Sequence, residues 1–152
     1  MSKLKEYKMF IDGEWVDSDS KKTFKTLNPE NNEPWAVVPE ATTKDVDKAV
    51  KAAQKAFEEK WSNLFPRERA KYLKEIANQL RENAELLGKI ETIDTGKLFK
   101  ETKTQANYIA EYYDYYAGLA DKVEGTVLPI DKPNMQAITT REPIGVIAAI
   151  IP

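Results

Sequence analysis

The chain has 152 residues, a formal net charge of −2, 41% hydrophobic and 32% charged residues, and neither cysteine nor histidine. That length holds one domain with a real core, the composition argues against disorder, and the charge leaves no basic excess for nucleic acid. The two missing residue types exclude disulfides, thiolate nucleophiles, cysteine or histidine metal sites and the commonest general base. Chemistry by this chain alone would rest on Asp, Glu, Lys, Tyr, Ser or Thr. No apolar run approaches the roughly 20 residues that span a bilayer, and Met1 to Glu6 lacks the apolar stretch of a secretion signal. The expected location is cytoplasmic, with no membrane partner.

The first block reads as strands. Met9-Phe10-Ile11 and Glu14-Trp15-Val16 flank Asp12-Gly13, a strong signal for a tight hairpin. Asp17 to Lys22 is a polar loop. Thr23 to Leu27 alternates like a strand, Asn28 to Pro34 is a turn cluster, and Trp35 to Val38 gives one more short strand. Together they predict a small antiparallel sheet.

Three helices are expected next. Thr42 and Thr43 are N-cap candidates before Lys44-Asp45, and Val46, Ala49, Val50, Ala53 and Phe57 fall on one helical face. Pro66 suits the first turn of the second helix. Its stripe runs through Ala70, Leu73, Ala77, Leu80, Ala84 and Leu87 to about Ile93, with a possible break near Glu82-Asn83 and a C-cap at Gly96. The third helix runs from about Leu98 to Ala120 and carries five tyrosines. The tail begins as loop from Gly125 to Asn134. Met135 to Arg141 alternates like an exposed strand, and Ile144 to Pro152 is almost wholly apolar, as in a strand buried on both faces of a parallel sheet. Such a strand needs further strands and crossovers, so more sheet is expected than this chain holds.

These residues, taken in order, carry a resemblance. Phe10-Ile11-Asp12-Gly13-Glu14-Trp15, Asn28-Pro29 and Asp45-Val46-Asp47-Lys48-Ala49-Val50 come first. Glu91-Thr92-Ile93-Asp94-Thr95-Gly96-Lys97 and Tyr115-Tyr116-Ala117-Gly118 follow. Arg141-Glu142-Pro143-Ile144-Gly145-Val146 and Ile150-Ile151-Pro152 end the series. Each piece is weak alone; the ordered series resembles the amino-terminal third of NAD(P)-dependent aldehyde dehydrogenases. The resemblance implies an α/β fold, of which this chain would hold a small sheet, three long helices, an oligomerisation strand and the first strand of a doubly wound sheet. It divides the chain into 1–133, 134–143 and 144–152, in that order of roles.

The resemblance also implies a function. Members oxidise an aldehyde to a carboxylate, with attack by a thiolate, oxyanion donors and a cofactor, NAD or NADP, that accepts hydride. In the family Ile-Ile-Pro is followed by Trp-Asn, and the catalytic Cys, the general-base Glu and the residues that hold the ribose lie further on. No catalytic residue is therefore expected here, and the isolated chain is expected to bind no cofactor and to be inactive. Ile150, Ile151 and Pro152 match a stretch beside the nucleotide; a plain core strand is the other reading. Thr26, Leu27 and Asp94 match a monovalent-cation site of oxygen ligands; the other reading is a helix carboxylate meeting solvent or a nearby N–H. Tyr108 and Tyr112 match the substrate-tunnel wall, where rings would suit a cationic aldehyde; an aromatic packing face is the alternative. Residues 134–143 resemble the strand that joins subunits into a homo-oligomer, with an intramolecular edge strand as the alternative. A stand-alone protein that binds or regulates a partner without catalysis is the competing function.

Overall fold

The computed structural model describes residues 4–151. Its amino-terminal block contains β1 (Lys5–Glu6), β2 (Met9–Ile11), β3 (Glu14–Val16), β4 (Thr23–Asn28) and β5 (Glu33–Pro39). The expected hairpin forms between β2 and β3, with Met9 opposite Val16 and Ile11 opposite Glu14. Its two turn residues both take positive φ, 53° at Asp12 and 82° at Gly13. That is the twist a two-residue hairpin demands and the reason Asp-Gly is chosen there.

β4 and β5 pair antiparallel from Thr23–Pro39 to Asn28–Glu33, with a register shift between Thr26 and Leu27. The turn joining them is held by its own asparagines: Asn28 Oδ1 accepts from Glu30 N and Asn31 Oδ1 from Glu33 N, both at 2.9 Å. Contrary to the expected small antiparallel sheet, the sheet is mixed. β1 joins β5 in parallel, Lys5 beside Ala36 and Glu6 beside Val37. Parallel neighbours need a long connection, and here the hairpin and β4 lie within it.

Four helices follow rather than three: α1 (Thr43–Glu59), α2 (Pro66–Glu82), α3 (Ala84–Thr95) and α4 (Phe99–Leu119). The long stripe divides at Asn83, which lies outside helical geometry at φ −103°, ψ 9°. Its amide donates back to the Gln79 carbonyl at 2.9 Å, the local competition with the helix ladder that asparagine offers. Pro66 occupies the first position of α2, and Glu68 accepts from Phe65 N at 2.8 Å. Gly96 ends α3 in the left-handed conformation, φ 75°, which costs glycine nothing.

The start of α1 is tied to the sheet. Thr42 caps it, and Asp45 reaches back to Thr42 N at 2.8 Å, closing a reciprocal box. The same carboxylate accepts from Ser18 Oγ at 3.0 Å and Asp19 N at 3.0 Å. Asp45 is 2% exposed. Those donors, the Thr42 N–H first, hold its acid at about 2, below the ordinary 3.8, against the opposing effect of burial.

The core lies where α4 packs on α2 and α3. Its buried positions are small: Ala77, Ala84 and Gly88 face Thr102, Ala106, Ala110 and Ala117. Small residues let the helix backbones come close. A Cβ at Gly88 would lie 2.9 Å from Lys103 N, a backbone atom. Thr102 Oγ1 donates to the Gly88 carbonyl at 2.9 Å and lies 3.0 Å from Thr92 Oγ1, so the one polar side chain in the seam is satisfied. Larger apolar residues are displaced outward. On the expected stripe Leu87 is exposed while Ala77 and Ala84 are buried, and on α1 Val46 and Val50 face water.

The last thirty residues differ. β6 (Val127–Leu128) and β7 (Ala137–Ile138) pair antiparallel, so only two residues of the expected Met135–Arg141 strand sit in a ladder, and they pair within the chain. Residues 144–151 form no strand, contrary to expectation, and Ile144 and Ile150 are 91% and 95% exposed. A strand takes its hydrogen bonds from neighbouring strands, and among the described residues none stands beside this run. Pro152 lies outside the described residues.

Candidate functional site

Two places bring sequence-predicted residues together. At the first, β4, β5 and the end of α3 meet. Thr26 Oγ1 donates to Asp94 Oδ1 at 2.6 Å, and Trp35 Nε1 donates to the same oxygen at 3.2 Å. Gly96 holds this corner shut: a Cβ there would meet Pro29 Cγ at 3.0 Å. Trp35 was missed by sequence reading, although an indole N–H is a donor that needs an acceptor when half-buried.

The electrostatics of the corner are unusual. Asp94 sits in the last turn of α3, where the helix dipole is negative, and no basic residue occupies that turn. Nearby Lys97 pairs with Glu91 at 2.7 Å. Among the described residues Asp94 Oδ2 receives no donor, so one carboxylate oxygen remains available to a cation. Leu27 lies at the register shift beside Thr26 and is exposed. No group of three or more His, Cys, Asp or Glu residues able to hold a metal ion exists among the described residues. The chemistry of this corner is that of one carboxylate with hydroxyl and carbonyl oxygens.

The second place is the outer face of α4. Tyr108 and Tyr112 lie one turn apart with rings perpendicular, centroids 5.0 Å apart at 87°, and hydroxyls 3.2 Å from each other. That hydrogen bond raises the Tyr112 phenol above its ordinary 10. Tyr108, Glu111, Tyr112 and Tyr115 line a shallow depression of about 370 Å³. Their spacing is i, i+3, i+4 and i+7, one helix face. Glu111 was also missed by sequence reading; the same spacing could have found it. A larger hollow of about 610 Å³, between Trp61, Arg69, Asp121 and residues 139–143, contains none of the predicted site residues.

Ile150 and Ile151 stand exposed and outside any ladder. The described residues do not enclose a nucleotide. No helix among them is long and apolar enough to cross a membrane.

A model of the aldehyde dehydrogenase family matches residues 15–152. Among curated proteins, a (Z)-2-((N-methylformamido)methylene)-5-hydroxybutyrolactone dehydrogenase of Acinetobacter baylyi is 46% identical over 98% of this chain and 30% of its own length. The betaine aldehyde dehydrogenase of Bacillus subtilis is 40% identical over 95% of this chain and 30% of its own length. Among solved structures, a point mutant of an aldehyde dehydrogenase from Bacillus cereus superposes with a TM-score of 0.86 at 38% identity, covering 92% of this chain and 29% of that one. This chain thus spans about 30% of the length of the curated relatives it matches.

Proposed function

The chain belongs to the aldehyde dehydrogenase family, and from that premise we propose that it serves as the amino-terminal part of an NAD(P)-dependent enzyme that oxidises an aldehyde to a carboxylate. The match of the family model to residues 15–152 carries this reading. The motif series and the α/β arrangement agree with it.

With no cysteine in the chain, the thiolate that attacks the aldehyde must come from the remainder of the enzyme. The role left to these residues is scaffold and site edge. The small-residue seam fixes α4, and α4 presents Tyr108 and Tyr112 as a wall for the substrate. Ile150, Ile151 and Pro152 would lie beside the nucleotide, which supplies the hydride acceptor when bound. Thr26, Leu27 and Asp94 would hold a monovalent cation, a reading supported by the free Asp94 oxygen at the negative end of α3. Residues 134–143 would meet a second subunit by strand addition, leaving the outer edge of the β6–β7 ribbon for the partner. The place of work would be the cytoplasm.

The test compares two purified proteins, the 152-residue chain and the complete product of its gene, in an assay of aldehyde-dependent NADH or NADPH absorbance. The complete product is expected to respond and the chain alone to stay silent. A response from the chain alone overturns the scaffold role. Silence from the complete product across a panel of aldehydes, with either cofactor, overturns the enzyme reading and favours a partner-binding protein.

A further inference from the structure

We infer that the hollow between Tyr7 and the loop of residues 17–22 binds a small tetrahedral oxyanion of the phosphate class, free or as a phosphate monoester. It shares no lining residue with the tyrosine face of α4 or the Asp94 corner, and it stands whether or not the enzyme reading does.

The first observation is an unsatisfied donor. Tyr7 follows β1 and is held by three contacts. Its N–H donates to the Val37 carbonyl at 2.9 Å. Its ring stands edge-on to Trp35, with centroids 6.0 Å apart at 77°, and Lys5 Nζ lies 4.7 Å from the ring centroid. The phenol oxygen of this fixed ring is closed to water and has no hydrogen-bond partner. A buried donor without an acceptor is a standing cost to the fold. Tyr7 is a wall of a hollow of about 330 Å³, the size of a small-ligand site. A ligand oxygen that displaces a neighbouring side chain supplies the missing acceptor.

The second is charge. Lys8, Asp17, Lys21 and Lys22 also line the hollow. Lys8 pairs with Asp17 at 3.3 Å, and Glu6, another wall, is engaged. Among the described residues no carboxylate lies within ion-pair distance of Lys21 or Lys22, whereas Lys44 and Lys48 on α1 both reach Asp19, at 3.2 and 3.6 Å. The third is a backbone already set. Ser18 Oγ donates to the Glu40 carbonyl at 2.6 Å, Lys21 N to the Ser18 carbonyl at 2.8 Å and Glu40 N to the Lys22 carbonyl at 2.9 Å. Lys21 is fixed in the left-handed region, φ 55°. Both ammonium stems therefore start from a loop that needs little further ordering, which lowers the cost of binding. Two ammonium groups and one phenol O–H are donors on three separate stems. A carboxylate offers two oxygens in one plane, while a phosphate directs its oxygens apart and carries charge for both lysines.

The experiment titrates the complete product of the gene with inorganic phosphate by calorimetry at low ionic strength, with methyl phosphate and acetate for comparison. Phosphate is expected to bind saturably, one to one, and acetate about tenfold more weakly. Tyr7→Phe should weaken phosphate roughly ten- to hundredfold, the range of a hydrogen bond to a charged group. Lys21→Gln and Lys22→Gln should each weaken it roughly two- to fivefold, and less in added salt. Lys51→Gln, on the exposed face of α1, should leave it unchanged. Without phosphate, Tyr7→Phe should have a Tm at or above the native one, because it deletes a donor that lacks an acceptor. Methyl phosphate binding as tightly as phosphate assigns the site to a monoester, and weaker binding assigns it to the free ion; both keep the site. No saturable phosphate binding, equal binding by Tyr7→Phe and the native protein, or acetate as tight as phosphate overturns the inference. A Tm of Tyr7→Phe well below the native one also overturns it, since the hydroxyl would then be satisfied within the fold.

Discussion

The α2–α4 bundle and residues 120–151 are both supplied with apolar residues, yet only the first has an interior. In the bundle Ala77, Ala110 and Thr102 are completely buried. Beyond Leu119 every described residue is exposed or half exposed, and the regular structure is a ladder two residues long. The difference is one of hydrogen bonding before it is one of hydrophobicity. A helix satisfies its backbone from within its own segment, so α2, α3 and α4 exist first as elements and then need only a face on which to meet. A strand has no backbone partner of its own. Ile144 to Ile151 is more apolar than any stretch of α2 and remains unstructured, because burial without a neighbouring strand would strand its N–H and C=O groups.

The comparison can be broken most directly at its tightest point. Gly88→Leu forces a side chain against the Lys103 backbone, and overpacking of this kind costs about 1–3 kcal/mol. The urea midpoint of the chain should fall accordingly, with the helical signal lost at lower denaturant. A midpoint equal to the native one would mean that α3 and α4 are not in this contact.

A smaller effect is expected at the joint between sheet and helices. Asp45 is held at about 2, below the ordinary 3.8. Its folded form therefore favours the carboxylate, and the stability this supplies is complete above pH about 4 and lost as pH falls toward about 2. Asp45→Asn should lower the urea midpoint at neutral pH, and the gap to the native chain should close as pH falls through that window. A gap that stays constant with pH would show that the carboxylate charge has no part in the cap.

The smallest effect belongs to the tail. Ile150→Lys should change the midpoint by less than about 0.5 kcal/mol equivalent, as at other exposed positions, while raising solubility by interrupting an apolar run. Loss of stability as large as that of Gly88→Leu would place Ile150 in a core instead.

Where the chain settles its structure locally, the sequence is easy to read. Asp12-Gly13 announces its hairpin because few other residues take two successive positive φ values. Thr42 marks a helix start by the acceptor it supplies, Pro66 by the donor it lacks, and Gly96 marks an end by its positive φ. The division at Asn83 is visible in the same way. Legibility fails where the partner is distant. β1 is two residues long, Lys5-Glu6, and carries no periodicity; its place beside Ala36 and Val37 follows from a pairing some thirty residues away. Gly88 reads as a weak helix residue until Lys103 is seen against it. The corner at Asp94 was legible in Thr26 and Asp94 by resemblance, but Trp35 enters only through a bond that spans 59 positions. Tyr108 and Tyr112 could be placed on one face, whereas their perpendicular rings and the unpaired Glu111 are properties of rotamers that spacing does not fix.

The seam between α3 and α4 has a consequence in time. All of its residues, from Gly88 to Ala117, are made before Ile144, and none of its contacts waits for the apolar run. During synthesis the bundle can close while the following residues are still inside the ribosome, as amino-terminal units commonly do. Ile144, Ile147 and Ile150 then emerge beside a finished platform instead of a loose chain, and this apolar, aggregation-prone stretch meets water only after the bundle has closed.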